Sequence, residues 1–166
     1  MGNGNVLFTG SPGCGKSTLI EKIVNKSRRL RTGFFTREIR EKGHRVGFSI
    51  ETLEGKQGVL AHIDMDSQFK VGKYGVNIND IDRIAVPSMI PDHEDQMVII
   101  DEIGKMECFS VSFKETLVQV LESKNPVLGS IALKGGLFIE TIKKRKDVHL
   151  IRITEQNRDI YVDMFG

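Results

Sequence analysis

Apolar positions along this chain of 166 residues keep two rhythms. In KSTLIEKIVNKSRR, Leu19, Ile20, Ile23 and Val24 fall at helical spacing and predict an amphipathic helix. From TGFFTREIRE into VGFSIETLEG, Phe35, Ile39, Val46, Phe48 and Ile50 follow the two-residue period of strands, and Lys42-Gly43 between them predicts a hairpin turn. The runs NVLFTG, MVIID and PVLGSI are almost continuously apolar, as strands buried on both faces of a parallel sheet must be. SFKETLVQVLES and LFIETIKKRK predict helices between strands, VHLIRIT closes the sheet, and a short helix follows the candidate cap Thr154. NINDIDRIAVPSMI predicts one more helix, which Pro87 kinks or ends. The expectation is an α/β fold with a mostly parallel central sheet flanked by helices. An antiparallel β-hairpin insertion occupies about residues 33–63.

Composition sets bounds on this picture. The length suits one domain over residues 1–166, and 39% hydrophobic with 28% charged residues describes an ordinary globular chain. A formal net charge of +2 gives little support for nucleic acid as a partner, and no apolar run approaches a membrane span. MGNGNVLFTG lacks the marks of a signal peptide, and Val6 stands where lipidation of Gly2 needs Ser or Thr. Cys14 and Cys108 have no metal-like spacing and read as two reduced thiols of a cytoplasmic protein. A monomer is expected.

GSPGCGKST carries the spacing G-x-x-x-x-G-K-[ST] at Gly10, Gly15, Lys16 and Ser17, between a strand and a helix. Gly13 and Gly15 let backbone N–H groups turn inward around phosphate oxygens, and the helix start adds a positive dipole end. Lys16 is expected on the β- and γ-phosphates and Ser17 on Mg²⁺. In VIIDEIGKMEC, Asp101 and Glu102 are adjacent carboxylates at the end of a buried strand, where like charges repel and resist desolvation. A triphosphate with Mg²⁺ gives them separate tasks: Asp101 holds the metal through a water or through Ser17, and Glu102 is the base for an attacking water.

Other charges carry a functional and a plainer reading. Lys105 either neutralises γ-phosphate charge or is a surface lysine, and Glu107 pairs with it or caps the next helix. Ser130 ends a strand facing the ligand crevice and either touches the γ-phosphate or packs there. Lys134 sits in a loop that covers the phosphates, whereas Lys143 to Lys146 read as a solvated helix end. Arg158 either stacks on the base or lies on the surface.

FTGSPGCGKST, GFFTREIR, RVGFSIETLEG, KYGVNI, VIIDEIGKMEC, VLGSI and ITEQNRD together resemble the THEP-type, or cancer-related, nucleoside-triphosphatase family. The resemblance implies a P-loop NTPase core and Mg²⁺-dependent hydrolysis of nucleoside triphosphates of any base, with weaker action on diphosphates. It implies nucleotide contacts from Gly10, Ser11, Pro12, Gly13, Cys14, Gly15, Lys16, Ser17 and the following Thr18. A second set comes from Asp101, Glu102, Ile103, Gly104, Lys105, Met106, Glu107 and Cys108. Three rivals remain: a nucleotide or small-molecule kinase, a switch GTPase, and a nucleic-acid-stimulated ATPase. The GTPase reading lacks the N-K-x-D pattern, since NKSR at Asn25 has no aspartate.

Overall fold

The fold is seen in a computed structural model, which describes residues 4–166, so the Gly2 position lies outside the described residues. The strands are β1 (Asn5–Thr9), β2 (Arg31–Glu41), β3 (His44–Thr52), β4 (Gln57–His62), β5 (Lys70–Val71), β6 (Tyr74–Val76), β7 (Met97–Ile103), β8 (Val127–Ile131) and β9 (Val148–Arg152). The helices are α1 (Lys16–Lys26), α2 (Ile78–Asp80), α3 (Val86–Ser88), α4 (Val111–Glu122), α5 (Leu137–Lys143) and α6 (Arg158–Phe165). Among the described residues the strands form one nine-stranded sheet in the order β5-β6-β4-β3-β2-β7-β8-β1-β9.

Side chains on the central strands alternate between two apolar layers, as the pleat demands. Leu7, Phe34, Val98, Ile100 and Val127 face a core built with α4, α5 and the helical segment around Ile81 to Val86. Phe8, Phe35, Ile99 and Leu128 face the other, built with α1 and the Tyr161–Phe165 end of α6. The four apolar positions expected on α1 are its four buried residues. Both layers leave the C-terminal ends of the parallel strands free to carry loops, where α/β sheets place ligands.

β2 is the strand on which the sheet changes character. Arg31 to Phe34 pair parallel with β7, and Phe34 to Glu41 pair antiparallel with β3. The antiparallel part runs on to Val76, beyond the expected residue 63, because β5 and β6 pair at the far edge. Strands of two and three residues are too short for alternation to reveal. The segment expected as one helix around Pro87 is instead α2, a π turn at Ile81–Ala85, and α3. Proline has no N–H and its ring crowds the carbonyl four residues back, and the widened turn lies just before it. Thr154 does act at the start of the last helix: its hydroxyl accepts from the Asn157 N–H at 3.3 Å while Asn157 Oδ1 accepts from the Thr154 N–H at 2.8 Å. That reciprocal pair is a capping box one turn ahead of α6.

Gly33 lies at φ +118, and a Cβ there would sit 1.9 Å from the Ile99 carbonyl oxygen on β7. Gly33→Ala should therefore cost about 2–4 kcal/mol in urea unfolding. Gly43→Ala, at φ +79 with nothing within 4 Å of its Cβ, should cost only about 1–2 kcal/mol for the left-handed backbone.

Candidate active site

The loop after β1 turns through two left-handed glycines, Gly13 at φ +78 and Gly15 at φ +97, and Gly15 opens α1. No side chain caps α1 and no acidic residue occupies its first turn, so its first N–H groups are left to a bound anion. Lys16 Nζ donates to the Gly10 carbonyl at 2.9 Å and the Ser11 carbonyl at 3.4 Å, spanning the loop that would hold the phosphates. Arg158 grips the loop from outside: its guanidinium donates to the Cys14 carbonyl at 3.1 Å and lies against Gly15. It is a latch on the loop in this structure, which the base-stacking expectation did not foresee.

Three carboxylates meet beyond Lys16. Asp101 is wholly buried; its Oδ2 accepts from the Thr36 backbone N–H at 3.0 Å and the Thr36 hydroxyl at 3.2 Å, and its Oδ1 has no partner. Burial pushes its pKa up, against the Thr36 N–H, the Ser17 and Thr36 hydroxyls and the charge of Arg37. Glu102 projects into the cavity, reachable by water yet hemmed by protein, and burial and the Asp101 charge raise its pKa while Lys16 opposes. Glu107 is 1% exposed, accepts from the Gly104 N–H at 3.2 Å, and leaves Oε1 unpartnered. Burial first, then the Glu102 charge, hold its carboxyl well above the usual range. It neither pairs with Lys105 nor caps α4, whose cap is Ser110, bonded to the Phe113 N–H at 3.0 Å.

A cavity of about 750 Å³ runs from the loop past Glu102 and Glu107, while Asp101 lies buried behind its wall. Gly10, Pro12, Gly13, Gly15 and the start of α1 at Lys16, Ser17 and Thr18 line it on one side, and Glu102 of β7, the turn residues Lys105, Met106 and Glu107, and Ser130 of β8 on the other. The exposed Lys105 and Lys134 both reach it. Other expected contacts stand back from it. Cys14 and Ile103 are core side chains, Cys108 packs against the core, and Gly104 is buried beneath the carboxylates. Ser11 is exposed on the loop and meets the site only through its carbonyl to Lys16. Ser130 gives its hydroxyl to the Asp101 carbonyl, where the β7–β8 register shifts. Cys14 and Cys108 are unpaired, and burial pushes the Cys108 thiol up to about 12. The expected solvated helix end holds only for Lys144 and Lys146. The side chains of Lys143 and Arg145 are 10% and 20% exposed, Lys143 donating to the Leu133 carbonyl and Glu140, and Arg145 to Asp147.

Thr36 and Arg37 were not singled out by sequence reasoning. Arg37 makes a two-pronged bond to Glu21 on α1, at 2.8 and 3.2 Å, and lines the cavity. The only signal was their place in GFFTREIR. Asp101 Oδ1 and the Ser17 hydroxyl are hard oxygen donors suited to Mg²⁺, which completes its shell from phosphate and water where few carboxylates are offered. Among the described residues no group of three or more His, Cys, Asp or Glu gathers as a metal site, and no helix is long and apolar enough to cross a membrane.

A family model described as NTPase matches residues 5–164. Nucleoside-triphosphatase THEP1 of Thermotoga sp. (strain RQ2) is 43% identical over 157 residues, covering 93% of this chain and 88% of its own. The cancer-related nucleoside-triphosphatase of Homo sapiens is 34% identical over 172 residues, covering 93% and 90%. The crystal structure of THEP1 from Aquifex aeolicus matches with a TM-score of 0.85 at 34% identity, over 98% of this chain and 96% of that one.

Because Glu107 has a raised pKa, the folded chain keeps a proton that the unfolded chain releases above about pH 4.5. Its contribution to stability is complete below that pH and declines as pH rises. The stability gap between Glu107→Gln and the parent should therefore widen in favour of the variant from about pH 5 to about pH 8. Urea unfolding in chelator across that range measures it; a gap independent of pH would mean that Glu107 titrates alike in both states.

Proposed function

The chain belongs to the NTPase family and is a nucleoside-triphosphatase, and on that premise we propose that it hydrolyses triphosphates of any base with Mg²⁺, and diphosphates more slowly. The observation that carries this reading is the division between two neighbouring carboxylates. Asp101 is sealed with one oxygen unpartnered, while Glu102 stands in the cavity near the charge of Lys16.

In this reading the N–H groups of the loop and of the first turn of α1 bind the phosphates. Lys16 exchanges its loop carbonyls for β- and γ-oxygens. Asp101 and Ser17 hold Mg²⁺, which when bound neutralises charge between phosphate and carboxylates. Glu102 orients a water against the γ-phosphorus and takes its proton, and a raised pKa makes it a better base near neutral pH. Lys105, at the cavity wall, offsets charge on the γ-oxygens. A diphosphate keeps the loop contacts but presents its terminal phosphorus less well to Glu102, which accounts for the slower reaction.

Glu102→Gln should bind nucleotide and Mg²⁺ as the parent does yet lose about 10²–10⁴-fold in single-turnover hydrolysis. Asp101→Asn should instead weaken Mg²⁺ binding and recover part of its turnover at high metal. A Mg²⁺ titration of both variants separates these outcomes; the same metal-rescuable defect in each would defeat the division of labour. The assembled groups address phosphate, so kcat/KM for ATP, GTP, CTP and UTP should agree within about tenfold, or 1.4 kcal/mol. A larger preference would require a base-reading group.

A further inference from the structure

The cavity is longer than a triphosphate needs, and strand order measures the excess. The phosphate loop follows β1, Glu102 belongs to β7, and β7 is the second neighbour of β1 in the sheet. At about 4.8 Å per strand this covers about 10 Å, the reach of a triphosphate. The same cavity continues past Glu102 to Arg45 and Phe48 on β3 and Leu60 on β4, about 14 Å further over three more strands. With its γ-phosphate placed at Glu102, as under Proposed function, a triphosphate would run from there back along the loop, its base at the far end from this extension.

We propose that the β3–β4 end of the cavity is an acceptor subsite for a nucleoside or nucleoside monophosphate, to which the γ-phosphoryl group is transferred. The proposal rests on the loop and Glu102 acting as set out under Proposed function. Phe48 and Leu60 supply an apolar wall for a flat ring, and Met106 adds to it from beside Glu107. The Arg45 guanidinium lies over Phe48 at 5.1 Å and Tyr74 at 5.7 Å. The Tyr74 hydroxyl at 3.0 Å and Glu38 at 3.3 Å fix it there. Glu38 and Arg45 thus present an acceptor beside a donor, the pattern that reads the edge of a heterocycle. Arg37 is already neutralised by Glu21, so this end suits a ring with at most one phosphate better than a second triphosphate.

Transfer uses the geometry of hydrolysis. An acceptor hydroxyl or phosphate oxygen attacks the γ-phosphorus and forms the new O–P bond. The bond from the γ-phosphorus to the β–γ bridging oxygen breaks, and its electron pair leaves on the nucleoside diphosphate. A hydroxyl's proton passes to Glu102; a phosphate dianion has none to lose. Water takes the acceptor's position when the subsite is empty, and the outcome is hydrolysis.

The test incubates the protein with γ-labelled ATP and Mg²⁺ plus adenosine, guanosine, cytidine or uridine, or the corresponding 5′-monophosphate. The destination of the label is then read by chromatography. Label on at least one probe is expected, and the nucleoside and monophosphate arms tell the two acceptor types apart. Arg45→Met and Phe48→Leu should cut transfer by about tenfold or more while probe-free phosphate release stays within about twofold, which also reports that both fold. Phosphate release without label on any probe overturns the subsite, whether or not a probe alters its rate. Transfer untouched by both substitutions overturns it too. Absence of phosphate release in the parent protein would instead overturn the hydrolytic reading beneath it.

Discussion

Burying a carboxylate at the end of a central strand is the constraint around which this site is arranged. Asp101 has no exposed surface, so folding removes its water and must replace it. Thr36 supplies both replacements from β2. β2 can do so because Gly33, three residues earlier, lets its backbone approach β7 where any Cβ would strike the Ile99 carbonyl. On the other side, the Ser130 hydroxyl holds the Asp101 carbonyl where β7 and β8 slip register. One buried acid thereby fixes three strands, and the cavity wall is the surface they make together.

The charge around that acid is out of balance. Asp101, Glu102 and Glu107 crowd one another, and each raises or responds to its neighbours. Lys16 and Arg37 offset part of this charge, but Lys16 is bonded to its own loop and Arg37 to Glu21. An incoming polyphosphate would therefore meet a site short of positive charge, and in the proposed reading a divalent cation held by Asp101 and Ser17 would offset the repulsion. Glu107 answers the conflict differently: burial and the Glu102 charge hold its carboxyl well above the usual range, against the Gly104 N–H that favours the charged form.

Much of this was readable in the chain because it is encoded locally. The loop motif, the four buried residues of α1 and the continuous apolar runs of β1, β7 and β8 depend on neighbours a few positions away. Thr36 escaped notice because its role is created by a contact 65 positions distant, and nothing in GFFTREIR by itself says which side chain meets Asp101. Glu107 was expected to pair with Lys105 or cap the next helix, and only the folded IGKME turn brings it inward onto the Gly104 N–H. Arg158 carried two readings, at a base or on the surface, and neither named the contact that the packing of α6 on α1, reinforced by Lys26 and Asp163 at 2.8 Å, gives it with the phosphate loop.

That latch bears on how the protein is made. The loop after β1 leaves the ribosome well before the arginine that grips it, which is 144 positions downstream, and β9, which flanks β1, is nearly as far. Until that distant stretch has emerged and docked, the nascent chain holds the right loop sequence without the embrace that shapes it. Nucleotide bound during translation would thus find a cradle still open on one side. Interrupted synthesis should yield fragments that carry the motif but not the grip.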